Sequence, residues 1–117
     1  MSMPHRGGAP GSGPVTMLVS YYPKPGKETE LRILVEKHWP TLDRLGLVTD
    51  MKPRIWQATD VRSTQRYFVE LFQWKDGRSS DVAHQSPEVM AIWEPMGPIL
   101  ERLQLTELEP LASGAPP

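Results

Sequence analysis

The sequence predicts a single α+β domain of order βαββαβ, with four antiparallel strands and two helices on one face. Three observations predict it. Runs rich in β-branched and aromatic residues alternate with stretches whose apolar residues recur at helical spacing, in the order strand, helix, strand, strand, helix, strand. The chain has 117 residues, which suits one domain with a modest core. The third strand is largely apolar on both sides, so two helices cover one face and the other needs its own cover.

Val15 to Tyr22 reads as the first strand, stopped by Pro23. After the turn Pro23-Lys24-Pro25-Gly26, a helix begins near Lys27. Glu28 and Glu30 stand in its first turn, where the helix dipole favours negative charge. Leu31, Leu34, Val35, His38, Trp39, Leu42 and Leu45 recur at helical spacing, and Gly46 is a C-terminal stop. Pro40 falls inside that pattern and is expected to kink or divide the helix.

Leu47 to Thr59 reads as the second strand, interrupted near Lys52-Pro53. Asp60 to Thr64 forms a polar hairpin loop. Gln65 to Trp74 is the strongest strand of the chain. A turn at Lys75 to Arg78 leads to a short helix from about Ser80, carrying Val82 and His84. Ser86-Pro87-Glu88 starts a further helix, with Ser as cap and Pro in the first turn. Its apolar stripe runs from Val89 to Leu103, made irregular by Pro95 and Pro98. Gln104 to Leu111 is the last strand. This order is the ferredoxin-like arrangement.

The domain is expected to span 15–111, between disordered tails at 1–14 and 112–117 that are mostly Gly, Pro, Ser and Ala. His5 and Arg6 lie in the first tail, where nothing holds them in place. Alternation along the third strand turns Phe68, Glu70, Phe72 and Trp74 one way and Tyr67, Val69, Leu71 and Gln73 the other. A second copy stacked sheet to sheet would cover the open face, so a homodimer is expected.

Composition narrows the partners. The net charge is -1 with no dominant basic stripe, which argues against nucleic acid. There is no Cys, which excludes disulfides and thiolate chemistry and fits a cytoplasmic location. No apolar run approaches the ~18 residues of a membrane helix. The N-terminus lacks the apolar region of a secretory signal. Three His without close spacing argue against zinc, and no phosphate loop occurs. The expectation is no metal and no cofactor.

Several features together resemble the antibiotic-biosynthesis-monooxygenase-like family. They are Pro25-Gly26-Lys27-Glu28 before the first helix, Glu70-x-x-x-Trp74 at the end of the third strand, and His84-x-Ser86-Pro87 beyond it. The similarity covers roughly 15–111 and implies a dimeric α+β barrel. Its members include oxygenases that act on polycyclic phenols without metal or flavin, and relatives that bind and degrade haem. The oxygenases use an Asn and a Trp on the sheet. This chain has no Asn, and Glu70 stands where the resemblance leads one to expect it. A carboxylate only accepts hydrogen bonds while an amide also donates, so the family mechanisms do not carry over unchanged.

His84 and Glu70 are the candidate catalytic residues. A histidine's ordinary pKa of ~6.5 suits a general base or acid, and the family position favours His84. The alternative is a helix histidine that caps a turn. Glu70 sits among aromatics, where a carboxylate is costly unless paired. It serves either proton transfer or an ion pair with Arg54 or Arg66. Trp74, Trp93, Tyr22 and Arg54 are the candidate substrate-binding residues. Trp74 and Trp93 would shape a flat pocket or simply pack in the core. Arg54 would hold an anionic group or pair with an acid. Trp39 and Trp56 read as core or interface, and His38 as structural.

Three functions stay open. The first is a cofactor-independent monooxygenase-like enzyme acting on a small aromatic or enolisable compound between sheet and helices. The second is a non-catalytic dimeric small-ligand-binding or interaction module. The third is a haem-binding or haem-degrading protein with His84 as axial ligand.

Overall fold

A computed structural model of the chain describes residues 13–111. The expected tails therefore lie mostly, and His5 and Arg6 entirely, outside the described residues. Strand β1 (Val15–Pro23) leads into helix α1 (Glu28–Arg44). Strands β2 (Arg54–Thr59) and β3 (Arg66–Trp74) form a hairpin. The second helical segment has two pieces, α2 (Ser79–His84) and α3 (Pro87–Ile99), and β4 (Leu100–Leu108) closes the fold. The sheet order is β2-β3-β1-β4 and every pairing is antiparallel. This is the ferredoxin-like βαββαβ architecture predicted from the sequence.

Local chemistry explains most boundaries. Gly46 takes φ +74, a left-handed conformation that glycine adopts without Cβ strain. There the Leu47 N–H donates to the Leu42 carbonyl at 3.0 Å and the Gly46 N–H to that of Asp43 at 3.0 Å, a Schellman ending. The Ser86 hydroxyl accepts from the Val89 N–H at 3.3 Å and caps α3, with Pro87 in the first turn. Asp60 closes the hairpin loop by accepting from the N–H groups of Arg62 and Ser63 at 2.8 and 3.0 Å.

Helix α1 and strand β4 (which ends at Leu108 rather than Leu111) depart from expectation. Helix α1 runs unbroken through Pro40. Pro40 is exposed, so the carbonyl one turn back that loses its N–H partner lies where water can take that place. Strand β4 begins at Leu100, with no loop after α3. The apolar residues Leu100 and Leu103 fit a helical stripe in sequence, but pairing to Pro23 and Tyr21 of β1 claims them for the sheet. The interruption of the second strand at Lys52-Pro53 is present. Leu47 to Thr49 bond to the end of β3, and the ladder resumes at Arg54.

Phe68, Glu70, Phe72 and Trp74 of β3 are buried under the helices, while Tyr67, Val69, Leu71 and Gln73 are half-buried on the opposite face. From α1, Leu31, Val35, His38 and Leu42 reach into the core, and from α3, Val89, Ile92, Met96 and Ile99. Arg44 and Glu88 link these two helices at 2.7 Å on the surface. The far face carries Leu18 and Leu71 opposite each other and Trp56, which is 44% exposed. Among the described residues no helix is long and apolar enough to cross a membrane.

Candidate functional site

A cavity of about 310 Å³ lies between the helices and the inward face of β1, β3 and β4. That is the lower end of the size range for small-ligand pockets, so it suits one compact molecule. Phe72 and Trp74 of β3 meet edge to face at 5.0 Å and 78° and form part of its wall. Trp93 of α3 lines the cavity as well. Its ring lies 4.7 Å from that of His84 and 5.9 Å from that of His38. Leu103 and Leu105 of the edge strand β4, 45% and 64% exposed, complete the lining on its open side. Among the lining residues there is no Lys and no Arg.

Behind His38 is a fully buried acid. Glu70 is 0% exposed and does not line the cavity. Its Oε1 accepts from the Tyr21 hydroxyl at 2.6 Å, and the His38 Nδ1 lies 2.9 and 3.0 Å from its two oxygens. Register explains the meeting. Val19 pairs with Glu70, and Tyr21, two residues on, points to the same face. His38 occupies the buried stripe of α1 directly over this row. A carboxylate only accepts, so the His38 Nδ1 carries a proton toward it. The other ring nitrogen, Nε2, is buried and has no hydrogen-bond partner among the described residues. Buried polar atoms are normally partnered, and this orphan belongs to a residue that lines the cavity.

Burial first, and then the charge of Glu70, push the Tyr21 hydroxyl well above its ordinary value of 10.0. It therefore stays a donor. The folded state keeps this proton where the unfolded chain releases it, so stability falls as pH rises above about 10. The slope from this one group is at most about 1.4 kcal/mol per pH unit. Urea unfolding at pH 9 to 11 is expected to show a shallower alkaline loss in Tyr21→Phe than in the parent chain.

Of the residues singled out in the sequence, His84, Trp74 and Trp93 meet at the cavity. His84 is exposed at its edge and its Nδ1 donates to the Ser80 carbonyl at 2.8 Å, leaving Nε2 as the acceptor of a neutral ring. Glu70 pairs with neither Arg54 nor Arg66; its partners are Tyr21 and His38. Tyr22 and Arg54 lie on the far face. Tyr22 stacks on Tyr67 at 4.4 Å with the Arg102 guanidinium 4.1 Å above it, and Arg54 lies over Trp56 at 5.3 Å. Alternation puts both on the side of the sheet away from the helices, so neither reaches the cavity. His38, expected to be structural, and Tyr21 line it. The available clue was a histidine in a helix's apolar stripe together with an acid on the inward phase of a strand, each of which needs a buried partner. Among the described residues no group of three or more His, Cys, Asp or Glu is placed to hold a metal ion.

No protein-family model matches the sequence, and neither does any curated protein. Solved structures do match. Rv0793 from Mycobacterium tuberculosis is similar over 84% of this chain and 95% of its own, with 17% identity and a TM-score of 0.65. SnoaB, a cofactor-independent oxygenase from Streptomyces nogalater, is similar over 85% and 94%, with 11% identity and a TM-score of 0.65. A protein named antibiotic biosynthesis monooxygenase is similar over 83% and 98%, with 9% identity and a TM-score of 0.64. At such identities the likeness is one of fold, and it spans nearly the whole of each of these chains.

Proposed function

We propose that the chain is a cofactor-independent monooxygenase-like enzyme that oxidises a small aromatic or enolisable compound in this cavity. The observation that carries the reading is the buried His38, held at Nδ1 by Glu70 and unpartnered at Nε2, set in an aromatic-walled space. The fold shared with a cofactor-independent oxygenase supports it. The base is then His38 rather than His84 or Glu70. His84 stands at the exposed edge and offers a second acceptor. The lack of Lys and Arg in the lining suits a substrate that enters uncharged.

Anthrone illustrates the reaction. Its methylene loses a proton to the His38 Nε2, and Glu70 stabilises the imidazolium that forms. The enolate gives one electron to dioxygen, and the two radicals combine to form the C–O bond. The peroxide takes the proton back from His38. The resulting hydroperoxide loses water to leave the carbonyl, so anthrone and O₂ become anthraquinone and H₂O. Walls of Phe72, Trp74 and Trp93 keep water from the anion.

A second copy on the far face of the sheet is part of this reading. The half-buried Leu18, Val69 and Leu71 and the exposed Trp56 support it, as does the prevalence of two-fold dimers. Oxygen uptake with anthrone and 1-naphthol tests the enzyme reading. Protein-dependent uptake with one water-forming turnover per O₂ is expected. Quenching of Trp fluorescence by both probes with no uptake would make the chain a ligand-binding module instead.

A further inference from the structure

We infer that Glu70 and Tyr21 are positioning residues that hold the neutral ring of His38, a residue that lines the cavity, in one tautomer, Nδ1–H, and so keep Nε2 its acceptor. The inference rests on the reading of the cavity as a site where His38 takes a proton. It concerns how that histidine is prepared, and it can be measured without turnover.

Three elements supply the three side chains: β1, β3 and α1. All are buried, with Tyr21 and His38 at 3% exposure and Glu70 at 0%. The His38 Nδ1 sees both carboxylate oxygens, at 2.9 and 3.0 Å. A lone pair on Nδ1 would face two acceptors and no donor, so the proton of a neutral ring belongs there. Tyr21 completes the device. Its hydroxyl donates to Oε1 at 2.6 Å, which ties the carboxylate to a second strand and limits its rotation. The Tyr21 ring borders the cavity while its hydroxyl is turned away to Glu70, so the residue acts through Glu70 rather than on a ligand. A histidine oriented by a hydrogen bond at one nitrogen presents the other in a defined state.

Tyr21 also dictates what a replacement at position 70 can do. In Glu70→Gln the Tyr21 hydroxyl claims the amide oxygen, which leaves the amide NH₂ facing the His38 Nδ1. That NH₂ takes the Oε2 position, 3.0 Å from Nδ1 in the unaltered protein, where two donors would face each other, which favours moving the ring proton to Nε2. Removing the Tyr21 hydroxyl as well frees the amide to turn its oxygen to Nδ1.

Long-range ¹H–¹⁵N spectra of the full chain labelled in its histidines test this, without ligand and at a pH where the ring is neutral. His38 is expected as Nδ1–H with an unprotonated Nε2. Glu70→Gln is expected to shift it to Nε2–H. Tyr21→Phe/Glu70→Gln is expected to restore Nδ1–H in at least half of the molecules. An Nε2–H tautomer in the unaltered protein would overturn the inference. So would an unchanged tautomer in Glu70→Gln. If that variant fails to fold, the unaltered protein's spectrum decides alone. The expected spectra without any oxygen uptake would sustain the inference and overturn only the monooxygenase reading.

Discussion

His38→Asn is expected to lower kcat for anthrone oxidation by about 10²- to 10⁴-fold, the usual contribution of a positioned general base. The substitution is chosen for what it keeps. An Asn amide places an N–H near the position of the imidazole Nδ1, so Glu70 retains a donor and is not left buried alone. It has no atom where Nε2 lies, so the acceptor at the cavity wall disappears. KM is expected to change much less than kcat, because the aromatic walls that hold the substrate are untouched. His84→Asn is the matched control. His84 is exposed and its Nδ1 is engaged with its own helix turn, so its loss is expected to cost less than about tenfold. Steady-state kinetics of the two variants on one substrate checks the assignment. A collapse in His84→Asn with His38→Asn nearly intact would return the role of base to His84.

Glu70→Ala is expected to destabilise the fold by about 3–5 kcal/mol, the cost of removing one partner from a buried, hydrogen-bonded pair. The side chain is 0% exposed and bonded to both Tyr21 and His38. Its removal strands a hydroxyl and a ring N–H where water cannot reach them without opening the core. A void under α1 adds to the penalty. For a domain of this size the thermal midpoint should fall by roughly 12–40 °C. Tyr21→Phe removes only one donor and is expected to cost about 1 kcal/mol. Thermal unfolding of the two variants side by side separates a shared network from two independent contacts. Equal small losses would show that Glu70 is not an anchor of the core.

Much of the fold was legible because its causes are local. The Gly46 ending, the Ser86 cap and the break at Lys52-Pro53 each depend on a few neighbouring residues. Alternation along β3 also predicted that Glu70 shares a face with Phe68, Phe72 and Trp74, and packing then put that face under the helices. Where strand and helix periodicities overlap, as at Leu100 and Leu103, only pairing with β1 chose between them. The candidate site was half legible. Trp74, Trp93 and His84 follow from their order near one junction. Tyr22 and Arg54 did not, because their phase on β1 and β2 turns them to the far face.

Sequence alone determined the secondary-structure order, the division of β3 into two faces and the absence of thiolate chemistry, since these depend on residue type and near neighbours. The network of His38, Glu70 and Tyr21 was decided by tertiary structure. His38 and Glu70 are 32 residues apart, and Tyr21 and Glu70 are 49 apart. Each taken alone is an ordinary histidine, acid or tyrosine. Only the stacking of α1 on the β1–β3 pair brings them within hydrogen-bond distance, gives the buried carboxylate its two donors, and leaves one nitrogen of a cavity-lining imidazole without a partner among the described residues.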